Sequence, residues 1–362
     1  VSVLTRRSLN RATLARQLLL RRAETSVLDV VGHLVGLQGQ DPDPPYVGLW
    51  NRMSSFRLDD LTESLCQREI VRATLMRGTQ HLVTAEDYRW LRPLLQPLLD
   101  RWQKGAFGKA TAGIDLAELA AVARSALDGT TLTRPELGRV LTERWPGRDP
   151  VALARSVQGL LPVVHPPPDG TWGRRGRTPF ALADQWLDRP LTDAPSARDL
   201  VTRYLAAFGP ASVQDVQAWS GLTRLREVVD SLRPGLLVFR SEAGRELFDL
   251  PDAPRPEPDV PAPVRFLAAL DNVVLAHADR TRMMTDEQRQ HVGVEAAVTV
   301  DGFVRGLWKI TRDGHTASLV VRLFTPLSTV DEEDVVREGL RLLRFAAADA
   351  ENHDVRFRSV SD

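Results

Sequence analysis

Between residues 8 and 250 the chain repeats one pattern three times: two or three short amphipathic helices, then a pair of β-like segments around a tight turn. In the first block, helical spacing over Ser8 to Arg22 and Ser26 to Gln38 precedes Ile70 to Leu75 and Gln80 to Val83, joined through Met76, Arg77, Gly78 and Thr79. The second has helical spacing from Leu116 to Leu127, then a Thr133/Glu136 capping box opening a helix to Trp145. A further helix covers Val151 to Leu160, and a β-like stretch from Leu161 to Trp172 is broken by Pro168-Asp169-Gly170. The third runs through Ala197 to Ala207, Ser212 to Trp219 and Leu222 to Leu232, and closes with Leu236 to Arg240 and Arg245 to Leu250. One such unit reads equally as a DNA-binding winged helix or as a plain scaffold module. Three in succession favour tandem winged helices, whose hairpins are the wings and whose third helices read a groove.

Six of the thirteen residues from Pro251 to Pro263 are proline, which removes backbone donors and favours an extended connector. Beyond it, Val264 to Leu270, Ala297 to Val300, Phe303 to Ile310 and Thr316 to Phe324 read as strands. A helix follows from about Asp331 to Ala347 with a Thr329/Glu332 cap. The expected fold is therefore α+β and helix-rich. Winged-helix units span residues 1–110, 111–193 and 194–250, a proline-rich linker spans 251–263, and an α+β, β-rich portion spans 264–362.

Charge does not identify a partner by itself, because the 47 basic and 47 acidic residues cancel. Only Lys104, Lys109 and Lys309 are lysines, so the cationic side chains are almost all arginine, the planar fork suited to phosphates and base edges. Genomic base composition produces the same bias. A single cysteine, Cys66, excludes an internal disulfide and multi-thiolate zinc, and fits a reducing cytosol. No apolar run approaches the roughly 18 residues of a membrane span, so a soluble, cytoplasmic and nucleoid-associated protein is expected, with no obligate protein partner. Phosphate-cradling, dinucleotide-binding and nucleophile-elbow glycine motifs are missing, which argues against ATP, nicotinamide and acyl-serine chemistry. The seven histidines show no metal-ligand pair, and His277-Ala278-Asp279-Arg280 reads as a polar turn, so neither metal nor organic cofactor is expected.

The anomaly is Gln38-Gly39-Gln40-Asp41-Pro42. At about 100° per residue, Gln38 falls on the same stripe as Val27, Val31 and Leu34, where an aliphatic side chain would be cheaper. An unpaired amide there costs on the order of 1–3 kcal/mol, so it needs a partner, a water or a cleft. Gly39 tolerates unusual geometry and Pro42 turns Asp41 out of the helical region, letting both amides converge at a helix end. Spacing leaves two readings open: caps that fasten the next loop, or a site.

The run Gly36-Leu37-Gln38-Gly39-Gln40-Asp41-Pro42 with Gly48-Leu49-Trp50, followed by Leu75-Met76-Arg77-Gly78-Thr79-Gln80-His81-Leu82-Val83, resembles the winged-helix DNA glycosylases of the AlkZ and YcaQ type. Trp172-Gly173-Arg174-Arg175-Gly176-Arg177, Phe266 to Asp271 and Ala276 to Arg280 extend the likeness along nearly the whole chain. The resemblance implies a C-shaped protein whose concave basic face holds double-stranded DNA carrying alkylpurine adducts or crosslinks. It further implies that Gln38 and Gln40 are catalytic, as in the branch with glutamine at both ends of the motif, which unhooks interstrand crosslinks. Gly39 departs from the larger aliphatic of that motif, which would loosen both amides. The family's DNA-entering hairpin would be Phe303 to Leu323, with Lys309, Arg312 and His315 near its tip.

A glutamine amide orients water but accepts no proton, so it suits only substrates with easy leaving groups. An N7-alkylguanine is already cationic and leaves toward an oxocarbenium-like sugar, for which oriented dipoles suffice. With no lysine in the motif a Schiff base is not expected, so the activity would be monofunctional. Asp41 is a reserve stabiliser of the sugar cation. For DNA binding the candidates are Arg6 and Arg7, from a start carrying six arginines (6, 7, 11, 16, 21 and 22) against Glu24, with Arg77, Arg174, Arg175 and Arg177, and the hairpin-tip residues. The expected role is repair, or self-resistance to an alkylating natural product. The rival readings are a winged-helix transcription regulator, which would prefer a defined sequence, and a crosslink-binding scaffold without turnover.

Overall fold

The computed structural model describes residues 2–293 and 295–360. Each of the three blocks is built from helices and a small three-stranded sheet. In the first, helices Val27–His33, Pro44–Arg52 and Leu58–Cys66 precede the hairpin Ile70–Thr74/Gln80–Thr84, and the short strand Leu37–Gln38 adds to its edge. The Ser26/Asp29 capping box fixes the start of Val27–His33 by satisfying amides that have no partner within the helix. In the second, the Thr133/Glu136 box opens Arg134–Arg144 between helices Leu116–Leu127 and Pro150–Leu160. The third has helices Ala197–Phe208, Val213–Ser220 and Arg226–Leu232 before strands Leu237–Ser241 and Glu246–Asp249, with Val3–Leu4 lying parallel beside the former.

The last portion is a five-stranded sheet of Arg265–Phe266, Ala296–Val300, Phe303–Asp313, Thr316–Leu323 and Asn352–Ser359, covered by helix Thr329–Ala346. Its final strand runs parallel to Thr316–Leu323. The mostly polar Asn352–Ser359 carries little apolar alternation, which is why the sequence pattern did not reveal it.

Several expected elements differ, among them the cap of the last helix, which is formed by Ser328 with Asp331 and not by Thr329 with Glu332. The helix read through Gln38 ends at His33, because Val35 and Gly36 take positive φ and a Cβ at Gly36 would meet a Val83 methyl at 2.6 Å. The helix read to Arg22 ends at Arg16, with Leu18 at φ +57°. In the second block the strand returning against Val163–Val164 is Pro179–Leu182, not the stretch up to Trp172. Three consecutive prolines, residues 166–168, remove the donors a hairpin arm would need, and the segment between becomes a loop.

The proline-rich stretch does not separate cores. Val31, Leu34, Tyr46 and Trp50 pack in one apolar cluster with Phe266, Val298, Leu319, Val335 and Leu343 from beyond it. The stretch itself is strapped along helix Arg6–Arg16. Nε of Arg7, Arg11 and Arg16 donate to the carbonyls of Pro258, Val260 and Pro254 at 2.7, 2.6 and 3.2 Å. Arginine side chains supply the donors that these three carbonyls need.

Candidate active site

Gln38 lies on a strand, and the change of period decides what its side chain can do. In a helix Gln40 would point away from Gln38; along an extended chain, residues two apart share a face. Gln38 sits opposite His81, and the ladder continues through Gly39, whose N–H donates to Gln80 O at 2.8 Å. Leu37 and Gly39 are buried, whereas Gln38 is half-buried and Gln40 exposed.

Both carboxamides are tied to one turn. Gln38 Oε1 accepts from Arg77 Nη2 at 3.0 Å, and Gln40 Oε1 accepts from the Gln80 backbone N–H at 3.3 Å. Neither amide can be flipped without facing donor to donor, since a guanidinium and a backbone N–H only donate. Each glutamine therefore keeps its NH2 group and the second lone pair of its oxygen for other partners.

Gly39 does not loosen this geometry. Its carbonyl accepts from Arg72 Nε at 2.9 Å, while Arg72 Nη2 reaches Gln40 O at 3.3 Å. The space a side chain would take is filled by Leu82, whose Cγ lies 3.2 Å from where a Cβ would stand. Arg72 also pairs with Asp169 in the second block, at 3.1 Å. Asn272 Nδ2 donates to Gly36 O at 2.7 Å, anchoring the same strand from the C-terminal portion. Spacing along the chain does not single out Arg72, Asn272 or His81, because each acts on a main-chain group or on a neighbour across the sheet.

His81 is fully buried and held neutral: burial first, then the Arg77 charge, pulls its pKa down to about 3. Nδ1 lies 2.9 Å from Thr79 O, so it carries the proton and leaves Nε2 as an acceptor with no partner among the described residues. Burial, then the charge of Arg280, lowers Arg77 to about 10.

The second-block loop borders the motif. Asp43 accepts from Gly173 N–H at 2.7 Å and from Arg175 Nη2 at 3.0 Å, and Arg175 lies 3.5 Å from Asp41. Asp41 is thus an exposed partner of an arginine. Arg174 and Arg177 are exposed beside a groove of about 640 Å³ that also includes Pro167, Pro168 and Asp169.

The other predicted cations stand elsewhere. Arg77 is not a free surface cation: its guanidinium is spent on Gln38 and on Trp219 O. Arg7 pairs with Asp301, and Arg6 is exposed with its guanidinium over the Phe303 ring. Arg11 and Arg16 are buried in ion pairs with Asp301 and Asp249, and Arg22 pairs with Glu338. At the hairpin tip Arg312 binds both oxygens of Asp349 at 2.7 Å, His315 lies 3.4 Å from Glu351, and Lys309 is exposed. No hydrogen bond or ion pair among the described residues joins these three to the glutamines. Among the described residues no cluster of three or more His, Cys, Asp or Glu could hold a metal ion, and no helix is long and apolar enough to cross a membrane.

The two carboxamides are thus each held through their oxygen, by the Arg77 guanidinium and by the Gln80 backbone N–H, with their NH2 groups left for other partners. Residues 31–345 match the family described as DNA glycosylase AlkZ-like. An interstrand DNA cross-link repair glycosylase of Streptomyces sahachiroi is 26% identical over 369 residues, covering 91% of this chain and 93% of that protein. The solved structure of Streptomyces sahachiroi DNA glycosylase AlkZ shares the fold, with a TM-score of 0.81 at 21% identity over 98% of this chain and 100% of that one. The chain belongs to the AlkZ-like DNA glycosylase family and is an enzyme of that class.

Proposed function

We propose that this glycosylase hydrolyses the N-glycosidic bond of N7-alkylguanine and unhooks interstrand crosslinks, with Gln38 and Gln40 as the catalytic pair. The observation that carries the reading is that both carboxamide oxygens are held by fixed donors of one hairpin, Gln38 by the Arg77 guanidinium and Gln40 by the Gln80 backbone N–H. As the cationic base departs, one carboxamide oxygen accepts a hydrogen bond from water and an amide N–H of the pair donates to that water's oxygen. The nucleophile is then held below the sugar without a strong base. After attack on the oxocarbenium-like carbon the protonated hydroxyl gives its proton to solvent water, so a group that cannot accept one is sufficient.

In this reading the three helix-and-sheet blocks are winged helices whose concave face holds the duplex. Arg174 and Arg177 supply phosphate contacts, and the groove beside them receives the bulk of a lesion too large for a deep pocket. Arg175 would exchange Asp43 for a phosphate. Arg6, Lys309 and the tip around Arg312 and His315 are secondary contacts. The deciding experiment is incubation of the purified protein with a duplex crosslinked through two N7-alkylguanines by a nitrogen mustard. Alkali-labile abasic sites are scored for wild type, Gln38→Ala and Gln40→Ala. Each substitution should slow release about 100-fold, the scale of removing one oriented dipole. Wild type that binds but releases no base ends the proposal.

A further inference from the structure

We infer that Arg77 is the positioning residue for Gln38, a bracket between the third block and the catalytic strand and not a DNA contact. The inference rests on the catalytic reading of Gln38. Arg77 occupies the left-handed region, at φ +57°, in the tight turn between the two strands. A non-glycine residue is held there only where its surroundings over-determine it. They do so on both sides. A Cβ on Gly78, at φ +70°, would meet the Trp102 ring at 2.3 Å, and one on Gly221 would stand 3.2 Å from Arg77 Cα.

The side chain is equally committed. One arm of the fork donates to Trp219 O, the other to Gln38 Oε1 at 3.0 Å. No ion pair to Arg77 occurs among the described residues, and its charged neighbour is another cation, Arg280. A half-buried guanidinium without a carboxylate is costly, so what recommends arginine is the fork: two donors in a rigid plane spanning two acceptors. That plane fixes the carboxamide's rotation and sends its NH2 group away from the turn. Polar atoms without a partner also belong to its neighbours, at His81 Nε2, Trp219 Nε1 and Arg280 Nε, the mark of a locale built for more than stability.

Arg77→Lys and Arg77→Met separate this role from phosphate binding, with thermal melting reporting the fold of each. Lysine keeps the charge and loses the fork. On the mustard-crosslinked duplex, both variants should release base about 10- to 100-fold more slowly in single turnover, as expected when a reacting group is misplaced. Their DNA affinity and its salt dependence should match wild type. In a Gln38→Ala background, Arg77→Met should add no further loss. A lysine variant nearer to wild type than to the methionine variant overturns the inference, as does a further loss in that background. A salt slope reduced by about 0.9, the value for one phosphate no longer neutralised, does so too. Each of these leaves a catalytic Gln38 standing. A Gln38→Ala protein as fast as wild type takes down the catalytic reading and this inference together.

Discussion

Two arginine-rich segments invite the same reading and have opposite fates. Helix Arg6–Arg16 turns two of its guanidinium groups inward: Arg11 and Arg16 are fully buried, gripping Asp301, Asp249 and the proline-rich strap. The loop carrying Arg174, Arg175 and Arg177 leaves all three exposed, and among the described residues only Arg175 of the three forms an ion pair. Local charge density does not distinguish them. What does is whether an acceptor already waits inside the protein, because a buried guanidinium satisfied by Asp249 cannot also bind a phosphate.

The largest effect expected from this contrast is on stability. Arg16→Ala leaves Asp249 buried with one arginine fewer and should cost about 3–5 kcal/mol, read from the denaturant midpoint. The DNA affinity of the folded protein should be unchanged, and an affinity loss with normal stability would erase the distinction.

Burial acts on histidine as well. His81, His165 and His277 are each pulled down to about 3, chiefly by desolvation. Below the ordinary histidine range the unfolded chain binds these protons and the folded protein does not. Their contribution is therefore complete above pH 6.5 or so and is lost as pH falls toward 3, by up to ~1.4 kcal/mol per pH unit for each. Urea midpoints between pH 7 and 4 should fall, and His165→Gln should flatten the slope by one proton. A flat profile would mean that these rings are not held neutral.

A smaller effect belongs to the exposed loop. Arg174→Ala with Arg177→Ala should change stability by no more than about 0.5 kcal/mol, while lowering the logarithmic salt dependence of duplex binding by about 0.9 for each phosphate that the missing guanidinium would have neutralised. Smallest of all is Gly39→Ala. Leu82 must give by a few tenths of an ångström, so stability should shift by about 1 kcal/mol or less, and base release should stay within a few-fold of wild type.

The sequence carried the parts of the fold whose signals are local. The Thr133/Glu136 box, the strands on either side of Met76 to Thr79, and the paired strands beginning at Phe303 and Thr316 all stand as read. It failed where a distant neighbour decides. The helix stops before Gln38, where Val35 and Gly36 take positive φ with Val83 and Leu82 O packed against Gly36. Asp301 and Asp249, far along the chain, convert Arg11 and Arg16 from apparent surface charges into internal ones. Gln38 was visible as a polar residue on an apolar stripe, and Gln40 only as its companion in the motif. Their mutual geometry was not, because it depends on exchanging a period of 3.6 for a period of 2.

The strap over helix Arg6–Arg16, and the apolar cluster shared across it, have a practical corollary. A break near residues 251–263 would not release two self-sufficient halves: Val31 and Trp50 would lose Leu319 and Leu343, and helix Arg6–Arg16 would surrender its splint. Chimeras that trade the last hundred residues between relatives should therefore fail unless the opening helices travel with them.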